Sequence, residues 1–451
     1  MSESTANTRK TSSEIYAEAL QVIPGGVSRN TVFHKPHPYY ASHAKGAYVT
    51  DIDGVRRVDF ANNMASLIHG HAYDPIVEAV IAQLQRGTAF TMATEIEVAY
   101  AQLLTRRVAS VDKIRFVNSG TEAVMAMMKA ARAYTGKAKI AKAEGAYHGT
   151  YDFAEISQTS NPSNWGDPHA PNSVPLAHGT PPGVLSDMLI FPFNDIETTL
   201  AILDAHADDI AAVLIDPVPH RVGLSPASNE YIEALYAWTQ KNGALLLFDE
   251  VVTFRVGYGG TQERYTVKPD LTAFGKIIGG GFPVGAFGGR ADVMEVLNPH
   301  QSKLLFPHSG TFSANPITLT AGYVAMEHYH QEAVSRLNEL SCVAMKQVEE
   351  AIQLAQVPVS ITGAGSMFRV HLRPSPPVTY REAYQKPEVV QVIAKMLDYL
   401  FNEEKMMMIN TCSVMLSTVM NQTEIDYLSE ALLKAFRTFK PEIEAVQSKE
   451  E

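Results

Sequence analysis

The chain has 451 residues, 46% of them hydrophobic and 19% charged, which supports two or three folded domains with a large core and excludes a disordered protein. The formal net charge of −11 speaks against a surface built for nucleic acid, which normally shows a basic excess. Two cysteines, Cys342 and Cys412, give no disulfide framework and no cysteine-rich metal site, so a reduced, cytoplasmic setting is expected.

In chain order, residues 1–10 are expected to be disordered, and the first stretch, "MSESTANTRKTSSEIY", lacks the apolar core of a signal peptide. "SSEIYAEALQVIP" reads as a short helix stopped at Pro24-Gly25-Gly26, and "GAYVTDIDGVRRVDF" (46–60) as a hairpin turning at Asp53-Gly54. From about residue 75, helical patterns alternate with short apolar strands: "KIRFVN", "KIAKAE", "AAVLID" and "ALLLFDE". Strands apolar on both faces and spaced by helices predict a mainly parallel sheet covered on both sides, with ligands beyond the strands' carboxyl ends. The Pro-, Ser- and Gly-rich stretch 151–185 breaks the rhythm and is expected to form a mobile cover over a site. After about residue 335, long helical patterns flank "GSMFRVHL" and "SVMLST", as in a small α+β domain. Three parts are expected: an N-terminal segment, 1–74, packed with the small domain; a large domain, 75–335; and the small domain, 336–451. No apolar run approaches a membrane span.

Three elements past strand ends carry chemistry. In "NSGTEAVMAMMKAARAY", Ser119 and Glu122 stand at capping-box spacing, and a helix start with free N–H groups is a place for phosphate. Asp249 follows a buried strand, where its charge needs a cationic partner. Lys276 sits among glycines and apolar residues, surroundings that lower a lysine's pKa and free its amine to attack a carbonyl. Phosphate site, carboxylate for a cationic ring nitrogen and reactive lysine together are what pyridoxal 5'-phosphate requires. No GxGxxG or GxxxxGK[ST] motif is present, and His69-Gly70-His71 and His328-Tyr329-His330 lack a clear third ligand, so no metal is expected.

"RFVNSGTEA", "EGAYHG", "LLLFDEVVTFRVGYGG", "PDLTAFGKIIGGGFPVGAFGG" and "HSGTFSANP", in this order, resemble the class III pyridoxal-phosphate aminotransferases of fold type I, in the branch of glutamate-1-semialdehyde aminomutase. The resemblance spans roughly residues 20–435. It implies an α/β fold with a mainly parallel seven-stranded sheet, and a homodimer with shared active sites. It implies that Lys276 holds the cofactor covalently and shuttles the proton, that Asp249 binds the ring nitrogen, and that Tyr147 stacks on the ring with His148 beside it. Val251 packs on the other face, Ser119, Gly120 and Thr121 bind the phosphate, and Thr311 reaches the partner subunit's phosphate.

The chain departs from the branch where substrates are read. "GGVSRNTVF" replaces the mutase segment "GGVNSPVR" and moves the arginine to Arg29. Thr411 stands where β-amino-acid aminotransferases have an arginine, and "DPVPHR" replaces "EP(V/I)xGN". The leading expectation is a transaminase moving an amino group from an amine donor to a keto acid such as pyruvate by a ping-pong mechanism. Arg29, Tyr151, Arg221 and Arg255 are the candidate substrate contacts. The alternatives are glutamate-1-semialdehyde 2,1-aminomutase and β-amino-acid aminotransferase, and, more remotely, a non-catalytic cofactor-binding regulator, against which Lys276 and Asp249 both argue.

Overall fold

The computed structural model describes residues 10–447; most of the 1–10 segment expected to be disordered lies outside them. Helix Ser12–Val22 begins with a full capping box: Thr11 Oγ1 accepts from Glu14 N at 3.3 Å, and Glu14 Oε2 accepts from Thr11 N at 2.8 Å. An antiparallel meander follows, β1 (Ala41–Lys45), β2 (Tyr48–Asp51) and β3 (Arg56–Asp59), with the predicted hairpin as its second half.

The large sheet consists of β4 (Lys113–Val117), β5 (Lys139–Ala143), β8 (Met188–Phe191), β9 (Ile210–Ile215), β10 (Leu245–Asp249), β11 (Leu271–Gly275) and β12 (Gly285–Gly289). A two-residue-strand hairpin, β6 (Gly166–Asp167) and β7 (Ala170–Pro171), intervenes in the chain. The spatial order is β4-β12-β11-β10-β9-β5-β8, and β12 alone runs against its neighbours. Every residue of β9 and β10 is buried. Two-faced burial explains their unbroken apolar sequences, and each large aliphatic side chain removed from water contributes roughly 1.5–3 kcal/mol.

β11 and β12 flank Lys276 in a segment whose sequence reads as a glycine-rich loop. The glycines of β12 serve backbone packing. A Cβ on Gly285 would stand 2.0 Å from Ser119 O, and one on Gly289 would stand 2.0 Å from Asp270 O. β12 can therefore pass between β4 and β11 only without side chains at these points.

The C-terminal part holds β13 (Ser360–Ala364), β14 (Met367–His371), β15 (Met406–Met407) and β16 (Ser413–Met415). β13, β14 and β16 form an antiparallel sheet, and helix Gln331–Ala355 packs along helix Gln422–Thr438. β15 pairs in parallel with β3, so the N-terminal meander is completed by a strand from the far end of the chain. No helix among the described residues is long and apolar enough to cross a membrane.

Candidate active site

Strand ends and loops deliver most of the predicted cofactor side chains, and Arg29, to one cavity of about 610 Å³. Its walls include Arg29, Asn63, Asn118, Ser119, Gly120, Thr121, Tyr147, His148, Asp216, Asp249, Val251 and Lys276. β4, β5, β9, β10 and β11 each end at it, as the crevice rule for open α/β sheets expects.

The helix Gly120–Thr135 begins there. Ser119 Oγ accepts from Glu122 N at 3.1 Å, but the Glu122 carboxylate reaches past the cap to Asn118 N, at 2.6 Å. The capping box predicted from the spacing is therefore half formed, and the second half is shifted by one residue. A Cβ on Gly120 would lie 2.7 Å from Val251 Cγ1, so only glycine lets this helix start press against Val251, two residues past β10. With the N–H groups of Gly120 and Thr121 at its open end, the turn could hold a phosphate.

Asp249 is 5% exposed, and its carboxylate is fixed from two sides. Oδ1 accepts from Val251 N at 3.0 Å, and Oδ2 accepts from His148 Nδ1 at 2.8 Å. Burial lowers the pKa of His148, with Asp249 opposing the shift. His148 Nε2 is buried and has no partner. Asp216 also lines the cavity; burial, and then the Asp249 charge, push its pKa well above the ordinary carboxylate range.

Lys276 opens a one-turn 3₁₀ segment directly after β11 and takes the left-handed conformation, φ 49°. Among the described residues its Nζ has no hydrogen-bond or ion-pair partner. Burial lowers its pKa, Asp249 and Asp216 pull it back up, and Arg29 adds to the lowering. A left-handed lysine with an unengaged amine is local strain of order 1–3 kcal/mol held in place by its surroundings.

Opposite the strand ends, the N-terminal segment supplies Arg29, the one arginine lining the cavity among the described residues, whose Nη1 donates to Asn63 Oδ1 at 2.8 Å. Asn63 belongs to a run of four left-handed residues, Asn62, Asn63, Met64 and Ala65, with φ from 44° to 69°. Such a run costs about 1–2 kcal/mol per residue. Asp59 Oδ1 holds it by accepting from Ala61 N and Asn62 N at 2.8 and 2.9 Å, and Asn62 Nδ2 donates to Met415 O at 2.7 Å.

The other candidates are placed differently. Tyr147 lines the cavity and is 42% exposed, with the Arg221 guanidinium 5.5 Å from its ring. Arg221 itself is outside the lining and donates to Gln158 O. Arg255 is fully buried away from the cavity, bonded to Ser366 Oγ at 2.8 Å and to Leu416 O, so it joins the domains and is no substrate contact. Tyr151 packs on Phe153 and also lies outside the cavity. Thr311 sits exposed in a turn, outside the cavity of its own chain. Thr411 Oγ1 lies 3.0 Å from His220 Nε2, so two departures from the family pattern, 191 residues apart, are one contact. His69 Nε2 donates to Ala325 O and its Nδ1 bonds Thr418 Oγ1, which spends both nitrogens inside the protein.

The expected cover does not reach the site. No residue of 151–185 lines the cavity, and the segment is tied down. Arg381 donates to Trp165 O and Gly166 O while pairing with Glu144 at 2.9 Å, and Tyr380 OH donates to Ser160 O. Asn63, Ser66 and the 281–284 turn are lining residues that the sequence reading did not select.

Residues 31–436 match the model of the family described as aminotransferase class III. The chain belongs to the class III aminotransferases. It is 40% identical over 382 residues to a glutamate-1-semialdehyde 2,1-aminomutase of Flavobacterium psychrophilum, covering 83% of this chain and 86% of that one. It is 44% identical to the crystal structure of an omega-transaminase from Sphaerobacter thermophilus, at a TM-score of 0.93, covering 96% and 98% of the two chains. A β-phenylalanine aminotransferase from Variovorax paradoxus is 30% identical, at a TM-score of 0.85 over 95% and 94%. As a class III aminotransferase the chain is a pyridoxal-phosphate-dependent enzyme of fold type I, and the cavity suits that cofactor. The phosphate cradle at Gly120, the fixed carboxylate of Asp249, the unpartnered buried His148 Nε2 and the free amine of Lys276 are present together.

Proposed function

We propose that this enzyme moves an amino group from an amine donor to a keto acid such as pyruvate, in two half-reactions at one site, within a homodimer in the cytoplasm. Pyridoxal phosphate, when bound, supplies an aldehyde to carry nitrogen and a protonated ring that draws electrons from the carbon bearing it. Gly120 and Thr121 N–H groups bind the phosphate, and Tyr147 and Val251 orient the ring from its two faces. Asp249 holds the proton on the ring nitrogen, and His148 keeps Asp249 in place. Lys276 Nζ, with its pKa lowered, would hold the cofactor covalently and would move the proton at the donor carbon. Arg29 binds the carboxylate of the keto acid and is otherwise held by Asn63.

The observation that supports this reading is the cationic inventory. Among the described residues Arg29 is the only arginine lining the cavity, and it is tethered by a single neutral amide rather than locked to a carboxylate. A fixed bidentate reader, as a site for dicarboxylate donors needs, is not built at Thr411, which bonds His220 instead. Burial, and then Arg369 and Arg221, hold His220 down at about 3, so the pair is neutral. The likeness to an omega-transaminase over nearly the whole chain supports the same reading.

The second reading is the mutase, and the names of the curated relatives favour it over the amine donor. Arg29 would serve its substrate's carboxylate equally well. Purified holoenzyme offered glutamate-1-semialdehyde, and separately 1-phenylethylamine with pyruvate, decides between them.

A further inference from the structure

Lys142, on β5, is completely buried and takes no part in the chemistry derived above. Its Nζ donates three hydrogen bonds to backbone carbonyls: Ala146 O at 2.9 Å, Ala154 O at 2.9 Å and Ile156 O at 2.7 Å. No carboxylate forms an ion pair with it among the described residues. A buried ammonium without a counterion is costly and persists only where all its protons are satisfied.

The place of those carbonyls gives the arrangement its meaning. Ala146 immediately precedes Tyr147 and His148, and Ala154 and Ile156 belong to the turn on the far side of the same excursion. At its other end the loop is fixed to the phosphate cradle. Thr150 N donates to Thr121 Oγ1 at 3.4 Å, and a Cβ on Gly149 would stand 2.6 Å from that oxygen. Gly145 N donates to Ser157 O at 2.8 Å. Lys142 is the only side chain of the set that binds both arms of the excursion.

We propose that Lys142 is a positioning residue whose ammonium gathers three carbonyls to hold the Tyr147–His148 loop against the cofactor site. A neutral amine has two N–H groups and a lone pair, so it can satisfy two of the three carbonyls and repels the third. The ammonium form alone fits the geometry. Four ionisable groups face it: Arg221 from the turn after β9, Glu155 from the short helix Asp152–Glu155, Asp249 at the end of β10, and His148 in the loop itself. Burial, and then Arg221, bring its pKa down to about 7, with Glu155 and Asp249 opposing. The three carbonyls oppose it too. The site therefore tightens below the ionisation of Lys142 and loosens above it. The inference rests on the proposed roles of Tyr147 and His148 as cofactor contacts.

The test is Lys142→Met, which keeps length and apolar bulk while removing the three donors. Hydrogen exchange in the full-length holoenzyme should show protection of amides 145–157 falling by about tenfold or more, with strands β9 and β10 unchanged. kcat should fall by about tenfold, with KM for the amino donor within about twofold, because the loop orients the cofactor rather than the donor. Unchanged protection overturns the proposal, and so does local loosening with unchanged kcat. If the variant does not fold, the wild-type holoenzyme carries the test between pH 6 and 10. Protection factors of 145–157 alone should then fall as pH rises, and flat protection overturns the proposal. Wild-type turnover of amine with pyruvate, measured first, tests the transaminase reading separately.

Discussion

The two walls of the active cavity are built by opposite means. The cofactor wall comes from the ends of buried parallel strands, and its groups are held by short, mostly backbone bonds: Asp249 by Val251 N and His148, the helix start by Ser119 and Glu122. The wall proposed to meet the substrates comes from the N-terminal segment, where 3₁₀ turns and four left-handed residues present Arg29 on a single bond to Asn63. A rigid wall suits a cofactor that stays through every cycle. A lightly tethered cation suits two substrates that alternate, one of which carries a carboxylate and one of which does not.

This contrast can be broken from the rigid side with large effects. Lys276→Ala should reduce turnover by at least about a thousandfold, roughly 4 kcal/mol of barrier, and abolish the visible absorbance of the covalently held cofactor. Asp249→Asn should cost about a hundredfold, roughly 2.7 kcal/mol, in steady-state kcat, because a neutral amide no longer holds the ring proton. Activity within severalfold of wild type in either variant would remove that residue from the mechanism.

From the loose side the effect should be smaller and split between half-reactions. Arg29→Ala should slow the keto-acid half-reaction by about tenfold or more, the worth of one charge-assisted hydrogen bond, and the amine half-reaction by less than about twofold. Single-turnover spectra of each half-reaction measure this, and equal losses would show that Arg29 reads no carboxylate. Least of all, Arg381→Ala should leave kcat within about twofold while speeding proteolytic nicking of 151–185, because that segment is tied down away from the site. Nicking at the wild-type rate would show that Arg381 does not hold it.

The rigid wall was legible in the sequence because its parts are local. A carboxylate after an apolar strand, a glycine at a helix start and a lysine without a nearby partner each announce their chemistry within a few residues. The loose wall was legible only in part. Arg29 was selected, but Asn63 was not, because nothing in "ANNMAS" tells that four non-glycine residues turn left-handed; the cause lies in Asp59 and in Met415, which is distant in the chain. Arg255 looked available for the same reason. Its partners Ser366 and Leu416 come from the other domain and meet it only after folding. The glycines of β12 answer to the backbones of neighbouring strands, which lie far from them in the chain.

The most direct test of the central claim, one lightly tethered arginine serving a carboxylate-free donor and a keto acid in turn, is a donor panel with purified holoenzyme. Simple amines such as 1-phenylethylamine are compared with glutamate-1-semialdehyde. The account predicts amine-dependent formation of alanine from pyruvate, with little conversion of glutamate-1-semialdehyde. Efficient interconversion of glutamate-1-semialdehyde and 5-aminolevulinate, with no turnover of simple amines, would contradict it and establish the mutase.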